Sequence, residues 1–424
     1  MRLYNTLSRT IEELPAPEHG PVRMYFCGPT VYQRAHIGNA RPFVVGMWLR
    51  NWLRQRGYDA KLVHNITDVN DKIYDAAPGA SAELAERATQ WYLEDVGDLG
   101  LGLADAMPRA TAFIPQIVRF IERLVESGHA YPVGGDVYFR VRSVPDYGRL
   151  SRQRVDQMAE EEQNPLKEAP QDFALWKATK PGEDTSWESP WGLGRPGWHI
   201  ECSVMAEEEL GPEFEIHGGG LDLVFPHHEN ELAQSSALGH SFARIWTHNG
   251  MLAFGGEKMS KSLGNDVSLR NVLDTWGREV VLLFFLTAHW RKPIDFNDET
   301  LAQAKAQWQT FGQALYEART GRSEVGWDAF EQALDDDFNT PEALAILHEW
   351  RRSGELDLLE RGLEIFGLGV ALEAPPDEVQ ALAEEREAAR AAKDWGRSDA
   401  LRDRIAELGW VVQDGAEGSS LVPK

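Results

Sequence analysis

The sequence predicts an α/β protein: a Rossmann-type, doubly wound parallel sheet carrying an insertion, then an α-helical bundle, then a small mixed α/β module at the C-terminus. Three observations predict it. A strand–helix–strand alternation runs from Val22 to Asn65, as in a βαβ unit. The pattern breaks at about Tyr131 to Pro196 and then resumes. Beyond about Leu269 the apolar spacing becomes helical.

Val22 to Phe26 reads as the first strand, broken by Gly28-Pro29-Thr30. An amphipathic helix follows from about Ile37 to Gln55 and is ended by Gly57. Ala60 to Asn65 is the next strand. Phe113, Ile117, Phe120, Ile121 and Leu124 form the stripe of a helix over Phe113 to Ser127. A short strand at Val137 to Val141, the acidic Glu160-Glu161-Glu162 and the loop Pro181-Gly182-Glu183 read as an insertion. Phe214 to His217 resumes the sheet and runs into Gly218-Gly219-Gly220. Val280 to Leu286, the longest apolar run, suits a buried strand or helix turn. Leu301, Trp308, Phe311 and Leu315 share one helical face, with Asn297 as N-cap. Pro375-Pro376 is a linker. Two helices follow, the second capped by Ser398 and ended by Gly409, and Trp410 to Gln413 and Leu421 to Val422 close the chain as strands.

At 424 residues the chain should hold two to four domains. Apolar content of 42% and charged content of 26% suit a soluble enzyme, and no stretch approaches a membrane span. A net charge of −24 argues against non-specific nucleic-acid binding, so neither DNA nor a membrane is an expected partner. An RNA docking on a local basic strip stays open. One strip is Arg140, Arg142, Arg149, Arg152 and Arg154. Another is Arg386, Arg390, Lys393, Arg397, Arg402 and Arg404, but acids interleave it, so a solvated helix face explains it equally well. No signal-peptide pattern is present, so a reducing cytoplasm is expected and disulfides are not.

The chain has two cysteines, Cys27 and Cys202. Either alone reads as a small buried hydrophobe. Downstream lies Pro226-His227-His228-Glu229-Asn230-Glu231, with Pro226 a natural first helical residue. His227 and Glu231 stand i,i+4 and share a helical face. Spacing also leaves open His228 with Glu231, at i,i+3. Two thiols plus such a pair could make one zinc site.

Two further motifs suit phosphate. His36-Ile37-Gly38-Asn39 opens the first helix, where free amides and partial positive charge receive anions. Lys258-Met259-Ser260-Lys261-Ser262 puts two lysines on a glycine-flanked loop, a cationic clamp for a triphosphate. Each alone is weak, and a capping histidine or a solvated basic loop would explain it. Together, in this order, they are far more specific.

These motifs resemble the HIGH and KMSKS signatures of class I aminoacyl-tRNA synthetases. Within that class the chain resembles the cysteinyl-tRNA synthetase family from end to end. The resemblance rests on Phe26 to Tyr32, Asn65 to Asp68, Arg195 to Cys202, Ile216 to Gly220, Pro226 to Glu231 and Asp335 to Pro341. It implies a Zn²⁺ ion that recognises the substrate thiol, held by Cys27, Cys202, His227 and Glu231. It implies an L-cysteine pocket at Gly28, Thr30, Thr67 and Trp198. ATP with Mg²⁺ would meet His36, Gly38, Asn39, Gly218, Gly219, Gly220, Asp222, Lys258 and Lys261, with His36, Asn39, Lys258 and Lys261 catalytic. The motif ends in Asn39 where the family signature has histidine, so this position can donate a hydrogen bond but carries no charge.

The implied divisions are a first catalytic half at 1–125, a connective insertion at 126–195, a second catalytic half at 196–270, a stem-contact and helical tRNA-binding region at 271–376 and an anticodon-binding module at 377–424. The implied reaction joins cysteine to tRNA(Cys). A related ligase acting on a small amino sugar is the alternative, and a non-catalytic zinc or RNA-binding paralogue is the rival of another class. Cysteine and serine differ by one atom, which pocket shape separates poorly, whereas a metal favours the thiolate. No stretch is long enough for a separate editing domain.

Overall fold

Val22–Phe26 and Ala60–His64 pair in parallel, joined by the helix Ile37–Gln55. Glu213–Gly220 lies on the other side of Val22–Phe26, and Phe242–Asn249 lies beyond it, also parallel. The computed structural model describes residues 1–15, 17, 19–158, 164–254, 257–258, 267–316, 325–369, 375–415 and 418–423. Gly218–Gly220 does not end its strand as the sequence suggests but completes it. A Cβ on Gly218 would lie 2.4 Å from the Phe26 ring, so only glycine lets these strands close together here.

The helix Ile37–Gln55 departs from simple amphipathicity. Thirteen of its nineteen residues are buried, because the sheet covers one face and the helical bundle the other. Trp48 Nε1 donates to the Phe366 carbonyl at 3.0 Å, and Trp52 Nε1 donates to Asp335 Oδ1 at 3.0 Å. The bundle thus docks on the helix that bears His36–Asn39 at its tip. Val280–Leu286 resolves as helix, within Arg278–Leu286. Asn297 Oδ1 accepts from the Thr300 N–H at 2.9 Å, the cap expected for Asp298–Tyr316.

Between the sheet halves, Ala130–Val133, Asp136–Phe139, Phe173–Ala178 and Gly194–Pro196 form an antiparallel sheet. The strand expected to reach Val141 stops at Phe139, because Asp172 Oδ1 takes the Val141 N–H at 3.0 Å and starts a 3-10 turn. At the C-terminus, helices Asp377–Ala391 and Trp395–Glu407 precede the antiparallel pair Trp410–Gly415 and Gly418–Pro423. They share a separate core of Val379, Ile405, Trp410 and Val412. Ser398 is not the cap of the second helix. Asp394 caps it, accepting from the Arg397 N–H at 3.2 Å, and Ser398 is buried inside it.

Candidate active site

The chain leaves Val22–Phe26 toward one sheet edge and returns on the other side at Glu213–Gly220, which makes a switch point between them. Ligands of open α/β sheets bind at the carboxyl ends of the strands there. Cys27 sits at that point, its N–H donating to the Gly218 carbonyl at 3.0 Å. Cys202 comes from the helix Trp198–Leu210, and Glu231 from Glu229–Ala237. Phe225 is extended and Pro226 opens the next turn, so His227 and Glu231 face the same way. His227 Nε2 lies 3.1 Å from Glu231 Oε1, and Cys27 Sγ lies 3.6 Å from the same oxygen.

One donor atom from each of Cys27, Cys202, His227 and Glu231 lies within 4.8 Å of the others, and all four residues are buried. Burial pushes both thiols up and pushes His227 well below the ordinary imidazole range. The imidazole is therefore neutral and ready to ligate, while the thiols await a cation that would favour their thiolates. Two sulfurs, a nitrogen and an oxygen in a dry pocket fit a four-coordinate metal ion. A second set, Cys27, His217, His228 and Glu231, shares two of these residues. In it, His217 Nε2 lies 2.8 Å from Glu231 Oε2, and His228 Nδ1 lies 2.8 Å from His248 Nε2. His217 thereby fixes the orientation of the carboxylate.

Gly28 follows Cys27, and Thr67 is linked to Cys202 through Asn65, whose Oδ1 lies 3.7 Å from Cys202 Sγ and whose Nδ2 donates to Thr67 Oγ1 at 3.3 Å. The Gly28 N–H donates to Asn65 Oδ1 at 2.9 Å, and a Cβ there would lie 1.7 Å from the Asn65 carbonyl oxygen. No side chain fits. Thr30 and Thr67 are backbone-paired, with the Thr67 N–H on the Pro29 carbonyl at 3.1 Å. Trp198 stacks on His227.

Asn39 Oδ1 accepts from the His36 N–H at 3.3 Å, a capping-box contact that holds the helix start, with Gly38 between them. The Ile37 N–H donates to the Val267 carbonyl at 2.9 Å, and the Leu269 N–H to the Ala35 carbonyl at 2.8 Å. The far end of the lysine segment is thus stitched beside His36. Lys258 lies in a short strand paired with Ala253; its side chain, and all of Lys261, lie outside the described residues. Gly218–Gly220 and Asp222, in the turn Leu221–Leu223, border the same end of the sheet.

Sequence reasoning missed His217, Asn65 and Glu201. All three stand inside motifs already singled out, but no spacing rule marks them. Glu201 is buried with neither carboxyl oxygen hydrogen-bonded, and burial pushes its carboxyl well above the usual range. The basic strips are largely occupied. Arg140 pairs with Glu168, Arg142 with Asp156, Arg149 with Asp146, and Arg386 and Arg390 with Asp414.

Residues 14–306 match the family model described as the class I (C) tRNA synthetase catalytic domain, and 373–419 match the cysteinyl-tRNA ligase anticodon binding domain. The Cysteine–tRNA ligase of Laribacter hongkongensis is 44% identical, with 99% of each chain covered. That of Trichormus variabilis is 41% identical, again over 99% of each. Among solved structures, methionyl-tRNA synthetase from Mycobacterium tuberculosis, in complex with methionyl-adenylate, superposes with a TM-score of 0.55 at 16% identity, covering 91% of this chain and 88% of the other. A LeuRS from Agrobacterium radiobacter gives 0.59 at 10% identity, covering 84% and 85%. These likenesses show the fold.

Proposed function

The chain belongs to the cysteinyl-tRNA synthetase family of class I aminoacyl-tRNA synthetases, and we infer from this that it activates L-cysteine with ATP and transfers the cysteinyl group to tRNA(Cys). The observation that carries the reading is the buried convergence of Cys27, Cys202, His227 and Glu231 at the switch point of the sheet. These four would hold one Zn²⁺. When bound, the ion selects the substrate by its sulfur, since a thiol gives up its proton to zinc far more readily than an alcohol.

The remaining residues bind and orient. Trp198, Thr67, Thr30 and Gly28 wall the amino-acid pocket, and Gly28 keeps the wall flat. The substrate carboxylate is already a nucleophile, so the site needs no strong base. Adenylate formation then rests on placing that carboxylate against the α-phosphate and on balancing charge there. The amides of His36, Ile37 and Asn39 are engaged within the protein, so the positive end of the helix dipole and the His36 side chain would meet the phosphates, and Asn39 keeps that end formed through its capping-box contact. Gly218–Gly220 and Asp222 would take the nucleoside. Lys258 and Lys261 would reach the triphosphate from a segment anchored beside His36, with Mg²⁺ arriving on ATP. The catalytic halves 1–125 and 196–270, the insertion 126–195, the helical region 271–376 and the module 377–424 are the working divisions. A cytoplasmic setting suits the free thiols; no helix among the described residues is long and apolar enough to cross a membrane.

Labelled cysteine decides the acceptor. With ATP present, label should appear in tRNA(Cys), and cysteine should drive pyrophosphate exchange. Label passing to an amino sugar and not to tRNA, or no exchange at all, would overturn the assignment.

A further inference from the structure

Arg41 lies two residues beyond Asn39 in the motif helix and is 1% exposed. Its guanidinium meets backbone carbonyls. Nη1 donates to Gly250 at 2.5 Å and reaches Met251 at 3.5 Å, and Nη2 donates to His289 at 3.3 Å. Its Nε is buried without a partner. Arg50 and Arg386 also bury an unpartnered Nε, but the other buried arginines have a carboxylate partner. Arg50 faces Asp105, Arg195 faces Asp71 and Glu183, and Arg386 faces Asp414. Among the described residues Arg41 alone of these four has no carboxylate beside it.

Two forces oppose a cation there. Burial pulls the guanidinium down to about 9, so it still carries its charge at neutral pH but at a cost. Arg41 is also four residues beyond the helix start at Ile37, roughly 6 Å along the axis at about 1.5 Å per residue. Helical side chains lean toward the N-terminus, so the charge sits near the positive end of the helix dipole. Both penalties shrink when a polyanion rests on that same N-terminus. The carbonyls it grips matter too. Gly250 and Met251 join the strand Phe242–Asn249 to the hairpin Leu252–Phe254 and Glu257–Lys258, which leads into the lysine segment.

We propose that Arg41 is a positioning residue for ATP: it clamps the base of the lysine hairpin to the motif helix, and bound triphosphate balances its otherwise uncompensated charge. This rests on the reading of His36–Asn39 as the triphosphate site. The test is thermal melting of full-length wild type, Arg41→Met and Arg41→Lys, with and without Mg²⁺ and a non-hydrolysable α,β-methylene ATP analogue, beside pyrophosphate-exchange kinetics. Without nucleotide, Arg41→Met should melt at or above the wild-type temperature, since its stem fills the space without a charge to desolvate. With nucleotide its upward shift should fall by at least about half, and its KM for ATP should rise about tenfold while KM for cysteine stays within about twofold. Arg41→Lys keeps the charge and should recover much of the shift. A residue of purely structural importance would lower the melting temperature equally with and without nucleotide; that outcome, or a normal nucleotide shift in Arg41→Met, overturns the proposal. If Arg41→Met does not fold, an Arg41→Lys protein that folds but gains no nucleotide shift overturns it. A wild type that the analogue fails to stabilise overturns the triphosphate site itself, so the two failures are distinguishable.

Discussion

The indole of Trp198 stacks on the imidazole of His227, with ring centroids 4.2 Å apart and planes 20° apart. On the other ring edge, His199 Nδ1 lies 3.0 Å from His227 Nδ1. These two contacts leave Nε2 directed at Glu231. One side chain therefore both walls the proposed cysteine pocket and orients a proposed metal ligand. Residues that orient ligands typically change metal affinity by about 10–100-fold when removed. Trp198→Ala should lose affinity on that scale in a chelator competition and raise KM for cysteine, while Trp198→Phe, which keeps a flat ring, should lose much less. Wild-type values of both quantities in Trp198→Ala would remove the orienting role.

Purified wild-type protein should carry one zinc per chain by metal analysis, and Cys202→Ser should lose it together with cysteine activation. Truncating the thiol removes a soft ligand from a four-donor site. The second donor set makes this a sharp experiment, because His217 and His228 also reach Cys27 and Glu231. Full zinc retention in Cys202→Ser would move the ion to that set, and His217→Ala should then lose it.

The strand–helix–strand start was readable because helical periodicity and the breaks at Gly28 and Gly57 agree with one another. Of the candidate metal site, two thiols and a nearby His/Glu pair were readable, but spacing left His227 and His228 both open, and only the family resemblance implied His227. Periodicity could not show that the helix Ile37–Gln55 is covered on its outer face too. That depends on Trp48 and Trp52 meeting Phe366 and Asp335, some 300 residues away in sequence. His217 hid for a similar reason: its partner Glu231 faces it across the cluster, from another element. Ser398 was a reasonable cap by residue type. Asp394 won because the preceding helix ends at Ala391 and Lys393 adopts a left-handed φ of 60°, which puts Asp394 at the start of the next helix. Arg41 carried no signal, as a lone arginine in an apolar helix face reads as surface.

Lys261→Ala should slow adenylate formation far more than it weakens cysteine binding. Val267 and Leu269, which follow the lysine segment in the chain, are bonded to Ile37 and Ala35, so the proposed role of its lysines is at the phosphate end of the site. Their charge is in greatest demand as pyrophosphate departs. Exchange rates should fall by about 10²-fold or more with the cysteine dissociation constant within about threefold. Equal losses in both would contradict the placement.

The C-terminal module should loosen in acid. Arg386 first, and then Arg390, hold the Asp414 carboxyl down at about 2 from 3.8. A depressed carboxyl contributes stability that is complete above its unfolded value and is lost as pH falls through its folded value. The window is therefore from about 4 down to about 2. Asp414 is 43% exposed, so the effect is modest and weakens with salt. Hydrogen exchange over residues 377–415 should speed up across that window in the wild type and less so in Asp414→Asn. Identical pH dependence in the two proteins would show that the pairing does not hold the module.

Removing residues 377–424 should leave cysteine activation within about threefold and lower tRNA charging by about 10²-fold or more, because the module has its own core of Val379, Ile405, Trp410 and Val412 and contributes nothing to the metal cluster. The sequence suggests phosphate contacts from six basic residues here, yet the structure spends most of them internally. Arg386 and Arg390 face Asp414, Arg397 faces Glu385, Arg402 faces Asp399, and Arg404 faces Glu407. A tRNA would have to compete with those carboxylates for each arginine. Each phosphate neutralised steepens the salt dependence by about 0.7–0.9 in log–log slope, so a module working through free arginines would give a slope near −4 or steeper. Paired arginines should give a shallower one, with binding leaning instead on exposed Trp395, 60% accessible and suited to stacking on a base. Trp395→Ala should then weaken tRNA affinity without changing that slope. A steep slope with no effect of Trp395→Ala would restore the phosphate account. A truncated chain that stays folded, activates cysteine and charges tRNA at the wild-type rate would take the module out of tRNA recognition altogether.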